Sequence, residues 1–165
     1  MNTVSKNKLS TKDIIVTAVL GVICIAIRFV FMILGGIFPI AWFASHMLDA
    51  IFIGPIFMLI VAKTKRTGPV FVISLVSGLA MLSASVYVLI SSIIAGILAE
   101  LALRKGKFES KVWISISYIL FSFGMIGDFY HLLFKKAAFL AYRAEFGMIA
   151  EYLAAVETMV SPVTK

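Results

Sequence analysis

Apolar residues run along this chain in long blocks, separated by short basic clusters. A helix needs about 20 mostly apolar residues to cross a bilayer. Residues 14–34 supply the first such block, interrupted only by Arg28, before Gly35, Gly36 and Pro39 break the chain. Residues 39–62 form a second, carrying His46 and Asp49, with Pro55 expected to bend it. Lys63, Lys65 and Arg66 close that block. Residues 69–99 hold no charge at all. As one helix they would be about 46 Å long, too long for a hydrocarbon core of roughly 30 Å. A single span would also put the basic loops at 63–66 and 104–111 on opposite faces. Two spans, turning near Ser83, Ala84 and Ser85, put both on one face, and the bias of basic loops to the cytoplasm decides for two. Residues 112–134 make the next block, followed by Lys135 and Lys136. The remainder is too broken by charge to span, and predicts an interfacial or loop helix over 137–162, ending near Ser161 and Pro162.

The pattern predicts an all-α fold: a polytopic transmembrane helix bundle forming a single domain over residues 1–165. Its spans are expected near 14–34, 39–62, 69–84, 86–103 and 112–134. Lys6, Lys8 and Lys12 place the N-terminus in the cytoplasm with the other basic loops. Five spans leave the C-terminus outside, together with Lys135, Lys136 and Arg143. That breach of the charge rule predicts a sixth span missing at the C-terminus. The first thirteen residues are polar and the run after them is of span length, so no cleavable signal peptide is expected.

Composition agrees with a bilayer. The chain is 62% hydrophobic and 14% charged, whereas soluble domains are about 45–50% apolar and about 25% charged. A net charge of +7 raises nucleic acid as a partner. The basic residues, however, sit between apolar blocks, where they set orientation, so no nucleic acid is expected. Cys24 stands alone, which removes internal disulfides and CxxC metal sites.

The chain has no phosphate-binding G-x-x-x-x-G-K-[ST] loop, no H-E-x-x-H, no G-x-S-x-G and no C-x-x-C. It is not expected to be an enzyme or to carry a cofactor, and any active transport must draw energy from elsewhere. Ionisable groups within spans cost about 2.5–3.5 kcal/mol each at mid-bilayer on insertion scales, so those present mark a function or a buried pair. Arg28, Trp42, His46, Asp49, Tyr87, Asp128, Tyr130 and His131 all fall in the outer half of the predicted bundle. Trp42, His46 and Asp49 lie at i, i+4 and i+7 on one helical face, and Asp128 and His131 share another. An aromatic-lined outer site with a few polar groups suits solute capture. Candidate binding residues are therefore Arg28, Trp42, His46, Asp49, Tyr87, Asp128 and His131.

Plainer readings stand beside these. Arg28 can snorkel to headgroups, Trp42 and Tyr130 can belong to an interfacial belt, and Asp128 with His131 can end a helix. His46 and Asp49 can form an internal pair, and two His with two Asp can ligate a divalent metal, although neither pair has a distinctive metal motif. Glu100 is expected to pair with Arg104 at i+4. Thr17 and Gly21 make a small-residue pair on the first span, which permits close helix approach within the bundle or by a partner.

The segments KLSTKDII (8–15), IGPIFMLIVAK (53–63), GILAELAL (96–103), GDFYHLLFKKAAFLAY (127–142) and GMIAEYLAAVETMVSP (147–162) resemble the Trep_Strep family. That family is also labelled the MptD-type S components of energy-coupling factor (ECF) transporters. The resemblance covers nearly the whole chain and rests on the ordered set of segments. It implies a substrate-binding subunit in a bacterial cell membrane, which captures a small micronutrient, often a vitamin or metal ion, from outside. Its implied partners are a transmembrane T subunit and two cytoplasmic ATPases, on which it topples to release solute. S components usually have six helices and many dock through an A-x-x-x-A pattern on the first. Here Thr17 and Gly21 stand where alanines are expected. A small accessory or scaffold membrane subunit is the alternative, and a membrane enzyme a more remote one.

Overall fold

Helix α1 (Thr11–Gly35) starts on a reciprocal cap: the Ser10 hydroxyl accepts from Asp13 N at 3.2 Å and Asp13 Oδ2 accepts from Ser10 N at 2.9 Å. The computed structural model describes residues 9–37, 39–145 and 147–160; Lys6, Lys8 and the helix end expected near Ser161 and Pro162 lie outside them. Helix α2 (Pro39–Thr64) opens on a proline, whose missing N–H is harmless at the first helical position, and continues through Pro55. A proline ring loosens the carbonyl ladder one turn before it, and there the Tyr118 hydroxyl donates to the Ala50 carbonyl. Next come α3 (Pro69–Ala80), α4 (Val86–Lys105) and α5 (Lys111–Ser122). A 3-10 turn, Phe123–Ile126, joins α5 to α6 (Gly127–Phe134), and α7 (Lys136–Glu145) and α8 (Ala150–Val160) follow.

The described residues contain no strand, and the chain is an all-α membrane bundle. Among the described residues, four helical stretches are long and apolar enough to cross a membrane: Thr11–Gly35, Pro39–Thr64, Val86–Lys105 and Lys111–Phe134. The expected span at 69–84 differs. Helix α3 has only 12 residues, about 18 Å at 1.5 Å per residue, and the chain then turns. Ser85 fixes that turn by capping α4, accepting from Tyr87 N at 3.2 Å, and is itself held at 2.8 Å by His131 of α6. Ala84 and Ser85 are buried, so this non-helical backbone sits in protein, where it is tolerated.

The exterior is apolar and several charged groups lie inside, unlike a soluble protein. Val22, Ile33, Met47, Ile51 and Leu101 point outward and are more than half exposed, while Arg28, Asp49, Asp128 and a set of serines are buried. Apolar surface on that scale is stable only in lipid. Ser74 Oγ donates to the Ser92 carbonyl at 2.7 Å and Ser117 Oγ to the Ala99 carbonyl at 2.8 Å, which ties α3 and α5 to α4. Gly78 faces Ser92 and Gly96 faces Ser74, so α3 and α4 touch at small residues on both sides. A Cβ on Gly96 would lie 2.8 Å from Ser74 Cβ. Gly96→Leu should therefore force the helices apart and cost about 1–3 kcal/mol by overpacking, read as a lowered unfolding midpoint in detergent; an unchanged midpoint would show that the pair can part freely.

Glu100 does not meet Arg104 in an ion pair among the described residues. Its Oε1 instead accepts from the backbone N–H groups of Gly68 at 2.9 Å, Val70 at 2.9 Å and Phe71 at 3.2 Å. It thus caps α3 from a neighbouring helix, meeting donors that a helix start leaves unpaired. Gly68 makes the approach at φ 116°, a conformation that favours glycine.

An apolar cluster around Cys24, Ile53, Phe57, Ile73, Leu103 and Phe121 joins α1 to α5. A second, with Trp42, Leu132, Phe139, Tyr152, Val156 and Val160, fastens α7 and α8 onto α2 and α6. The expected single helix over 137–162 is in fact two short helices, linked by the Lys136–Glu157 pair at 3.1 Å. Tyr152 of α8 donates its hydroxyl to the Gly35 carbonyl at 2.7 Å. Burial pushes this phenol up to about 12, so it remains a donor through the physiological range.

Candidate functional site

At the end of the bundle where α1 gives way to α2, four helices bring charged side chains together. Arg28 of α1 places its Nε 3.7 Å from Asp49 Oδ2 of α2, with its guanidinium 5.3 Å from the Phe121 ring centre. Asp128, in the first turn of α6, takes two donors on Oδ2: Arg143 Nη2 at 2.6 Å and the Trp42 indole N–H at 3.3 Å. Arg143 comes from α7 and lies 5.1 Å from the Phe139 ring centre. His46 Nδ1 is 2.9 Å from the Trp42 carbonyl. A carbonyl only accepts, so Nδ1 carries a proton, and a neutral ring then leaves Nε2 as an acceptor. The imidazole packs between Trp42 and Phe129, with ring centres 5.2 and 4.6 Å away.

These groups line two adjoining cavities. The first, of about 60 Å3, is bordered by Arg28, Trp42, His46, Asp49, Asp128 and Arg143, with four methionines completing its wall. The second, of about 210 Å3, shares Arg28, His46, Asp49 and Met125 with the first and extends to Tyr118 and Ser122. Five of the seven residues expected at the site, Arg28, Trp42, His46, Asp49 and Asp128, thus meet in one place. The i, i+4, i+7 face of α2 is turned toward the cavities, with Trp42 and Asp49 buried and His46 half-buried.

Tyr87 and His131 line neither cavity. Their rings face each other at 4.7 Å, and His131 holds Ser85 at the α3–α4 turn. Three residues along α6 from Asp128, His131 supports the bundle beside the site. Sequence reasoning missed Arg143 and the methionines Met32, Met81, Met125 and Met148. The surplus of positive charge after the last long span was the available signal for Arg143, since a basic residue that folds back into an apolar bundle needs a partner.

Thr17 and Gly21 are buried against α3. Thr17 Oγ1 donates to the Asp13 carbonyl at 2.7 Å, and a Cβ on Gly21 would meet Ile73 at 3.3 Å. Both border an apolar groove between α1 and α3, about 360 Å3 in volume and walled by Ala18, Val22, Val72 and Val76. Among the described residues no three His, Cys, Asp or Glu side chains gather as metal ligands would. What the cavity offers chemically is a balanced set of hydrogen-bond donors and acceptors on two Arg–Asp pairs, walled by aromatic and thioether groups.

No curated protein and no solved structure matches the chain. The family model described as hypothetical bacterial integral membrane protein (Trep_Strep) matches residues 11–164. With four helices able to cross a membrane and a match over almost its entire length, the chain belongs to the Trep_Strep family and is a multi-pass integral membrane protein.

Proposed function

We propose that this chain is the substrate-binding S component of an ATP-driven ECF importer, capturing a small micronutrient at the outer face of the membrane. It catalyses no reaction itself. The observation that carries the reading is the cavity: four buried charged side chains converge in a bundle whose outward faces are apolar. Burying such groups is costly, and a cavity for a polar solute gives them a use. The basic loops at 63–66 and 104–111 support a cytoplasmic assignment for the end away from the cavity, and we place the cavity on the outer side. The groove between α1 and α3 is the docking surface for the T subunit, with Thr17 and Gly21 in its floor.

Affinity purification of the tagged chain from its native membrane tests this. A T subunit and two ATPases are expected to come with it. Val22→Trp, which fills the groove from an exposed position, should reduce their recovery at least several-fold, and Gly21→Leu should do the same by lifting α1 off Ile73. Full recovery with both variants would move the docking surface elsewhere. Absence of the ATPases from the parent preparation would replace the transport reading with that of an accessory or scaffold subunit.

A further inference from the structure

The charges in the cavity say what kind of solute it takes, if the cavity is the solute site. Arg28 is 5% exposed, Asp49 9%, Asp128 3% and Arg143 8%, so all four are removed from bulk solvent. Two positive and two negative groups sum to zero. The pairing is also local, at 3.7 Å between Arg28 and Asp49 and 2.6 Å between Arg143 and Asp128. An ion entering this enclosure would lose its hydration and find each opposite charge already engaged. The desolvation penalty of a buried ion is several kcal/mol unless a partner offsets it.

The pairs are nonetheless incomplete. Each of the four side chains keeps one buried polar atom without a hydrogen-bond partner among the described residues: Arg28 Nε, Asp49 Oδ1, Asp128 Oδ1 and Arg143 Nε. None of these four atoms is itself open to a water-sized molecule, and Arg28 Nε is the one that faces Asp49 Oδ2 in the first pair. Buried polar groups are normally paired, and an unpaired one costs about 1–3 kcal/mol. The lining as a whole presents donors on two guanidinium groups and acceptors on two carboxylates with no net charge, which suits a neutral molecule carrying both an acceptor and a donor. Around these atoms stand Trp42, His46 and Phe31 with the methionines, a wall suited to the face and edge of a flat ring.

We infer that the cavity binds a small, uncharged, planar ring compound bearing an amide-type edge, with a carbonyl acceptor beside an N–H donor. A zwitterion is also neutral overall, but it would have to open both ion pairs to match its separated charges. A ring carboxamide or lactam offers one carbonyl acceptor and at least one N–H donor to that lining and carries no charge of its own.

Three probes of nearly the same shape test this on the purified chain in lipid nanodiscs: benzamide, which is neutral, benzoate, an anion, and benzamidine, a cation. Saturation-transfer NMR titrations give their relative affinities. Benzamide is expected to bind the parent at least about tenfold more tightly than either ion, a difference of roughly 1.4 kcal/mol. Asp49→Asn gives the site a surplus positive charge and should shift the preference toward benzoate by a similar factor. Asp128→Asn, whose side chain keeps its shape, should shift it the same way, so the result does not depend on one variant folding. An ionic probe that binds the parent as well as benzamide overturns the inference, as does the failure of all three to bind. The outcome is separable from the transport reading. Preference for benzamide without co-purifying ATPases keeps the inference and removes the importer, and the reverse result does the opposite.

Discussion

Replacing Arg143 with methionine should cost the fold about 3–5 kcal/mol, the usual penalty for leaving a buried charge without its partner. Asp128 would keep only the longer bond from Trp42 at 3.3 Å, and α7 would lose its polar tie to α6. Thermal unfolding in detergent, followed by circular dichroism, should show a much lower midpoint, and limited proteolysis should cut first within α7 and α8. The double variant Arg143→Met with Asp128→Leu should recover most of that stability, because a well-packed apolar pair often matches a buried ion pair. It should bind no benzamide. Stability and binding would thus separate. A single Arg143→Met variant as stable as the parent would mean that Asp128 is neutralised by something other than Arg143.

The second large effect is expected at Glu100. One carboxylate oxygen serves the N–H groups of Gly68, Val70 and Phe71. Glu100→Leu leaves all three unmet, that of Val70 fully buried and those of Gly68 and Phe71 partly so, and at about 1–3 kcal/mol for a buried unpaired donor the loss should reach about 2–3 kcal/mol. Glu100→Gln retains an acceptor while losing the charge that favours a helix N-terminus, so it should recover roughly half. Equilibrium unfolding in mixed micelles reads both. If Glu100→Leu unfolds like the parent, α3 finds another cap and the carboxylate is not what starts it.

The contrast between Glu100 and Asp49 shows why some of the site was legible and some was not. The sequence rule for Glu100 was local, an i+4 partner in Arg104, and it lost to a helix start brought near by the fold. Three unpaired donors attract a carboxylate more strongly than one exposed cation does. For Trp42, His46 and Asp49 the local rule held, because 3.6 residues per turn puts all three on one face wherever the helix is placed. Arg28 and Asp128 were legible through cost, since a charge in an apolar run needs a reason. Tyr87 and His131 share the depth of the cavity, but depth leaves rotation about the helix axis open, and packing turned their rings against each other, with His131 on Ser85.

From the sequence alone followed the all-α membrane bundle, the long helices, and a concentration of polar residues toward one end. These rest on chain-local physics: the run length needed to cross lipid, the helical period, and the expense of charge in hydrocarbon. Tertiary structure alone decided that α3 stops after 12 residues, that Gly21 faces Ile73, and that Arg143 returns from α7 to close on Asp128. Each of these depends on which groups meet across helices far apart in sequence. A buried polar atom takes whichever partner the fold delivers, and the order of residues along one helix does not carry that information.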